Sequence, residues 1–581
     1  MSKTRRNQKR SAWVQFLLIL VVIVFVNLIV SFLPLRFDLT ANRLYSVSDE
    51  TRQMLKSLDD IVYFQIYLDG QLPPDYRRLK KAAKEMLDEF HVISDKVQYE
   101  FINPSASDDP RDRMLTQQNI EERGLVADQH REDGSEGVKF RKIFPGAIVT
   151  YKSRELPLQF LQPERFPMRL EQRINRAINE IEFSLAYTIG ILSRETKPNI
   201  AFIEGHGELG RLETADISKA LADNYIVERI RLNEQVNILT ERVETDSGNF
   251  VVRNKYRAII IAGPDSVFSE KDKFIIDQYV MYGGSVLWLI DPVFARMDSL
   301  QFTGVSMGIT NDIHLDDMLF NYGVRLNTDL VMDLIALPIA MVSGSTAGQP
   351  NIEFFPWYFF PLVASDTSHP VVNNVGALKT EFVSSIDTIG VRGIKKTFLL
   401  RTSPYSRRLN APVYINLNIV NEEPDRSLYN LKNLPVAVLL EGEFNSLYKN
   451  RIPPALAGSR EIAFAESSRP TAMIIVSDGD VIKNQFHYSQ GYPLPLGYDQ
   501  YTGETFGNKR FILNAIDYLV SGSELNTIRQ KNFSIPSLDD AYLKDHGFSW
   551  RLANSAIPPL VVIIFGIAYA IIRRKRYAST K

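Results

Sequence analysis

The stretch IEGHGELG, residues 203–210, places an imidazole and a carboxylate two residues apart among three glycines. Gly205, His206, Gly207 and Glu208 follow the apolar run NIAFI, where the carboxyl end of a strand would turn into the next element. Histidine and glutamate are the residue types that general acid–base chemistry uses. Free N–H groups at a helix start beyond such a turn also suit an anion. A spacing of two does not make the side chains face each other, and no nucleophile is spaced to join them. The turn is therefore read as a ligand or partner contact, and no catalytic residue is expected.

The other candidates are weaker. GVSMG at 304–308 fits G-x-S-x-G, but a nucleophile elbow needs a strand before the serine and a helix directly after it. The preceding DPVFARMDSLQFT does not read as a buried strand, so Ser306 is expected in a loop. The seven histidines, His91, His130, His206, His314, His369, His487 and His546, form neither HExxH nor HxH. SDGD (Asp478, Asp480) lacks the further ligands of an EF-hand loop and reads as a strand-end turn, as do Asp291-Pro292 and Gly283-Gly284. No metal and no cofactor are expected. The chain has no cysteine, which removes thiol nucleophiles, disulfides and thiolate metal sites. It has no G-x-x-x-x-G-K-S/T, so any ATP hydrolysis belongs to another chain. Lys and Arg total 67 against 68 Asp and Glu, so the basic footprint of a nucleic-acid binder is missing.

The elements around the turn read as α/β. NIAFIEG, YIVERIRL, YRAIIIAGP and SVLWLIDP are strands, alternating with the helices ETADISKALADN and SEKDKFIIDQYVMY. Such alternation predicts a mostly parallel, doubly wound sheet. Ser269 caps the second helix and Asp272 completes a capping box. The sheet resumes at TAMIIVSDGDVI and ends with the helix GNKRFILNAIDYLV. Upstream, IVYFQIYL, LPPDYRRLKKAAKEMLDEFHVI and KVQYEFINP give a thioredoxin-like β-α-β order, preceded by a short helix capped by Ser48. Leu170, Ile174, Ile178, Ile181, Leu185, Ile189 and Leu192 lie on one stripe and predict a single long helix.

Both ends are apolar. Residues 12–33 would span about 33 Å as a helix, enough for a hydrocarbon core of about 30 Å. Lys3, Arg5, Arg6, Lys9 and Arg10 precede them, and Trp13 suits an interface. Within the span, Asn27 is the candidate for an intramembrane helix contact, ahead of the shallower Gln15. Residues 555–572 form the second span, with Pro558 and Pro559 in its first turn and Arg573 to Arg576 after it. With the cations on the outer sides, the positive-inside rule predicts both termini in the cytoplasm of a bacterial inner membrane and the main body in the periplasm.

The expected division is a basic tail (1–11), a transmembrane helix (12–33), a thioredoxin-like α/β region (36–165) and a connecting helix (166–197). A doubly wound α/β domain (198–345) follows, with a β-rich insertion (346–466), and is completed by 467–522. A membrane-proximal linker (523–554), a second transmembrane helix (555–572) and a basic tail (573–581) close the chain.

RFDLTANRLYSVSDET, IEGHGE, YGGSVLWLIDP, LFNYGVRLNTDLVMD and GNKRFILNAIDYL occur in this order between the two spans. The ordered set resembles the GldG-type auxiliary component of ABC-type transport systems linked to gliding motility, over nearly the whole chain. The resemblance implies an ABC permease subunit and a separate ATPase subunit as partners. It also implies an outer domain similar to the ciliary-transport and amidotransferase-like α/β fold. The amidotransferase cysteine has no counterpart here, so that chemistry does not carry over. The expected function is a non-catalytic, doubly anchored extracytoplasmic subunit whose body meets cargo or an envelope or cell-wall component. The alternatives are a solute-binding receptor, with its crevice at Gly205 to Glu208, and an envelope hydrolase using His206 or Glu208.

Overall fold

The structure is a computed structural model. It describes residues 47–134, 137–161, 170–193, 196–244, 250–346, 349–365, 369–372, 375–451 and 464–521, and parts of the two apolar terminal segments. The chain divides into two compact units, Met1–Asn532 and Phe533–Lys581. In the second unit, Ser555–Ile572 is a helix of 18 residues, long and apolar enough to cross a membrane. Of the N-terminal span only Leu18, Val21, Val22 and Phe25 are described, all helical. Gln15 and Asn27 lie outside the described residues.

The first unit begins with helix α1 (Asp49–Lys56), strand β1 (Val62–Ile66), helix α2 (Pro74–Ile93) and strand β2 (Val97–Phe101). β1 and β2 pair in parallel across α2, and β3 (Gly146–Tyr151) and β4 (Arg154–Gln159) extend the sheet antiparallel in the order β2-β1-β3-β4. Val62, Phe64 and Ile66 alternate inward onto Leu79, Ala83, Leu87 and Phe90 of α2, as the period of two in a strand and of 3.6 in a helix require. The stripe at 170–192 forms two helices, α3 (Leu170–Asn179) and α4 (Ile181–Ser193), instead of one. The ladder still crosses the break: Glu180 N–H donates to Arg176 C=O at 3.1 Å, and Ser184 N–H to Glu180 C=O at 2.8 Å. Glu182 on α4 accepts from Ser48 N–H (2.7 Å), Ser48 Oγ (2.7 Å) and Thr51 Oγ1 (3.1 Å). One carboxylate thus ties the capped start of α1 to a helix more than a hundred residues away.

The main body is a seven-stranded sheet. Its parallel strands are β5 (Asn199–Glu204), β6 (Ile226–Arg231), β7 (Ala258–Ala262), β8 (Ser285–Leu289) and β11 (Thr471–Val476). β9 (Ile394–Arg401) and β10 (Pro435–Gly442) add antiparallel at one edge, giving the order β9-β10-β11-β8-β7-β5-β6. The parallel strands are apolar on both faces because both faces are covered. Ile200, Phe202, Ile260 and Leu287 meet helices α5 (Ala215–Ala222) and α7 (Asn508–Ser521). Ala201, Ile203, Ile259, Ile261 and Trp288 meet α6 (Glu270–Met281) and the helix Asp316–Tyr322 on the other side. Alternate residues of one strand therefore belong to two different cores.

Two strands of the β-rich stretch at 346–466, β9 and β10, belong to the central sheet, while Gln349–Val363 pairs outside it with Ala336–Thr346. Val436 to Leu440 are buried without a break, and an apolar run with two buried faces needs cover on both sides. The central sheet provides that cover, so β10 joins it and brings β9 with it. Ser306 also departs from its expected loop: it lies in the strand Val305–Thr310, paired with Val413–Asn416. No helix follows it directly, so the nucleophile elbow is absent.

The body is tied together by buried carboxylates. Asp277 on α6 accepts from Tyr322 Oη (2.9 Å), Ser446 Oγ (2.6 Å), Leu447 N–H (3.0 Å) and Gln278 Nε2 (3.1 Å). Burial raises its pKa, against the pull of these donors. Asp277→Ala leaves the Tyr322 and Ser446 hydroxyls buried without their acceptor. The variant is expected to lose about 3 kcal/mol of stability, measured as a lower urea midpoint with retained far-ultraviolet circular dichroism.

Candidate functional site

In open α/β sheets ligands bind outside the carboxyl ends of the strands, where the winding reverses. Here the chain runs from β5 outward to β6 and returns on the other side of β5 as β7. The reversal therefore lies between the ends of β5 and β7. The IEGHGELG turn leaves β5 at that point, and residues 263–266 leave β7 beside it.

The two loops are stitched to each other. Leu209 N–H donates to Ala262 C=O at 2.9 Å, and Asp265 and Ser266 N–H both donate to His206 C=O at 3.0 Å. Gly207 has φ +74°, and a Cβ there would fall 1.6 Å from Asp265 Oδ1. Only glycine fits this close approach. The two loops that border the crevice are therefore held directly against each other.

His206 is buried within this closure. Its ring stacks on Phe268, with centroids 3.7 Å apart and planes 10° from parallel. Nδ1 lies 3.2 Å from Glu208 Oε1 and Nε2 lies 3.1 Å from Asp272 Oδ2. The pair separated by two in sequence thus does meet, because Gly205 and Gly207 take positive φ and fold the turn back. Glu208 Oε2 also accepts from His206 N–H at 2.7 Å. Asp272 accepts from Ser269 Oγ at 3.1 Å and from Glu234 N–H at 3.0 Å. Its carboxylate is thus shared between the cap of α6 and the histidine, a link that the capping-box reading of Asp272 did not contain. Burial alone would depress the imidazole's pKa, but Glu208 and Asp272 outweigh it and the pKa is raised. Each ring nitrogen already faces a carboxylate oxygen within hydrogen-bond distance. The arrangement is a clamp, poorly suited to general acid–base catalysis.

A second group of polar side chains lies at the ends of β8 and β11. Asp291 Oδ1 accepts from Gly479 N–H at 2.7 Å, and Asp478 accepts from Asp480 N–H (2.7 Å) and Glu381 N–H (2.8 Å). SDGD is thus a turn locked onto its neighbours. Burial first, and the Asp480 charge second, push Asp291 up to about 7. Burial likewise raises Asp478 and Glu381. Among the described residues, no group of three or more His, Asp and Glu could hold a metal ion. Two cavities of about 20 Å³ each lie elsewhere, lined by neither His206 nor Glu208. That volume is room for about one water.

The histidines that sequence alone did not separate have distinct settings. His91 Nδ1 is 2.7 Å from Val97 O, and His369 is buried against Tyr518, where desolvation lowers it to about 4. His487 stacks on two tyrosines. His546 lies outside the described residues. Asp272 and Asp291 were missed as site residues, although each sits at a position the sequence marks: a helix N-cap turn and the residue after a buried strand.

The fold is a three-layer α/β body with a buried histidine held between two carboxylates at its switch point. A family model described as an ABC-type uncharacterized transport system matches residues 197–515, and the chain belongs to that family, as a transport-system auxiliary protein. A second family model, for a domain of unknown function, matches residues 41–150. A Borreliella burgdorferi protein known only as an uncharacterized protein is 20% identical over 96% of this chain and 97% of its own length. Among solved structures, the N-terminal domain of mmIFT52 is 12% identical, covers 56% of this chain and 98% of its own, and has a TM-score of 0.30. A putative thua-like protein from Parabacteroides merdae is 10% identical, covers 56% and 91%, and has a TM-score of 0.25.

A group whose folded pKa is raised contributes stability that is full below its unfolded value, about 6.5 for histidine. That contribution is lost as pH rises through the folded value. Wild-type stability is therefore expected to fall with rising pH from about 6.5 upward. His206→Gln is expected to flatten that slope and to cost about 1–3 kcal/mol at pH 6. Urea midpoints of both proteins from pH 5 to 9 check this.

Proposed function

We propose that this protein is a non-catalytic subunit of an ABC-type transport complex, anchored at both ends, with its α/β body outside the cytoplasmic membrane. The observation that carries the reading is the crevice at the switch point, stitched shut in a chain of the transport-auxiliary family. A solute receptor needs that crevice open, and a hydrolase needs a histidine with a free nitrogen. The apolar helix Ser555–Ile572 and the apolar run at 12–33 supply the anchors. The cations beyond each span favour cytoplasmic termini in a bacterial inner membrane.

The partners in this reading are an ABC permease subunit and a separate ATPase subunit, since the sequence holds no phosphate-binding loop of its own. The resemblance to GldG-type components favours a system that serves gliding motility. The mechanism follows from rigidity: permease movement tilts the anchored helices, and the body passes the motion to an envelope or cell-wall component. Gly205, His206, Gly207 and Glu208 act within this body as a structural fastening, and Asn27 is the proposed contact to the permease.

Gentle extraction followed by crosslinking and mass spectrometry is expected to recover a permease and an ATPase with the full chain. Asn27→Leu is expected to reduce that recovery about tenfold without lowering the amount of chain in the membrane. Recovery of the chain alone, with neither partner, would end the proposal.

A further inference from the structure

After the turn at Asp480–Ile482 the chain leaves the sheet edge and forms a lobe, residues 484–506. Its first fifteen residues, 484–498, read NQFHYSQGYPLPLGY and hold no Lys, Arg, Asp or Glu. The chain as a whole is 23% charged, so this neutrality is local. Three rings form a near-parallel set: His487 stacks on Tyr488 at 5.0 Å and 17°, and on Tyr492 at 4.9 Å and 24°. They are not core residues. Tyr488 is 80% exposed, Tyr492 47% and the nearby Tyr501 49%.

Despite its exposure the lobe is firmly held. His487 N–H donates to Tyr492 C=O (2.9 Å), Gly491 N–H to His487 C=O (2.8 Å) and Leu494 N–H to Gln485 C=O (2.7 Å). Gln500 accepts from Tyr488 N–H at 3.0 Å and donates to Phe486 C=O at 2.9 Å. Gln485 in turn donates to Asp499 at 3.0 Å. Leu496 N–H donates to Asp216 on α5 at 2.9 Å, which fastens the lobe to the body. Stacked rings on a fixed backbone lose little freedom when something lies on them.

We propose that this lobe is a binding platform for an uncharged, extended glycan chain. The face of an aromatic ring is the negative pole of its quadrupole. The flat side of a pyranose ring presents polarised C–H bonds, which that pole attracts. Equatorially linked sugars form ribbons with such flat sides exposed, and their edges carry hydroxyls. Ser489 and Gln490 are exposed beside the rings, and Tyr501 adds a further hydroxyl, so donors and acceptors for those edges are at hand. Nucleic acid and anionic lipid are disfavoured, because both need a cluster of Lys and Arg. The inference stands on the lobe alone and is independent of the transport reading and of membrane topology.

The test uses the full chain in an amine-oxide detergent, which carries no sugar head group. Cellohexaose and chitohexaose are the equatorially linked probes, and α-linked maltoheptaose is the comparator. Saturation-transfer NMR and calorimetric titration are expected to show both β-linked probes binding, with maltoheptaose at least about tenfold weaker. Tyr488→Ala is expected to weaken binding about tenfold at an unchanged melting temperature, and Tyr488→Trp to retain it. The proposal is overturned if neither β-linked probe binds or if maltoheptaose binds equally well. It is also overturned if Tyr488→Ala and Tyr492→Ala both bind like the parent, or if the lobe instead mediates binding to phosphatidylcholine vesicles.

Discussion

One imidazole governs the carboxyl edge of the central sheet. His206 has a carboxylate on each ring nitrogen and a phenyl ring against its face. Through Asp272 it reaches the first turn of α6, and through its own carbonyl it holds the loop after β7. The strands on either side of the switch point cannot separate at that edge without leaving a buried charge unpaired, and that is costly. The closure falls where folds of this type ordinarily hold a ligand.

The same device recurs across the body. The protein has no disulfide to fasten its long excursions. Buried carboxylates saturated by N–H and O–H donors take that place. Glu182 fastens α1 to α4, and Asp277 fastens α6 to the segment at 446–447. Asp329 accepts from Ser385 N–H (2.8 Å) and Oγ (2.6 Å), while Asp333 accepts from Ser403 N–H (2.9 Å), Ser403 Oγ (2.6 Å) and Ser406 Oγ (2.7 Å). Each joins stretches more than fifty residues apart in sequence. A saturated acceptor specifies one partner geometry, whereas apolar packing tolerates several.

The surface chemistry divides accordingly. Near the sheet edge Asp291 and Asp478 accept backbone N–H groups, and burial raises the pKa of Asp291, Asp478 and Glu381. What faces outward nearby is the aromatic lobe at 484–506, whose first fifteen residues carry no charge. Exposed rings at the lobe and inward-facing carboxylates at the strand ends thus lie on neighbouring parts of the same body.

Local pattern was sufficient wherever a single segment decides its own structure. The runs NIAFI, AIII and SVLWL could only be strands covered on both faces, and Ser48 and Ser269 mark helix starts because their hydroxyls accept from the first-turn N–H groups. The helix at 555–572 follows from its unbroken apolar length. Pairing between distant segments was not legible. The placement of β10 beside β11, the meeting of His206 with Asp272 and the strand around Ser306 each depend on residues outside the local segment, from about thirty to more than a hundred positions away. A sequence fixes which faces must be buried and where a backbone can turn. Only the tertiary structure decides which distant acceptor meets which donor, because that choice is made by the closure of the whole sheet and by no local propensity.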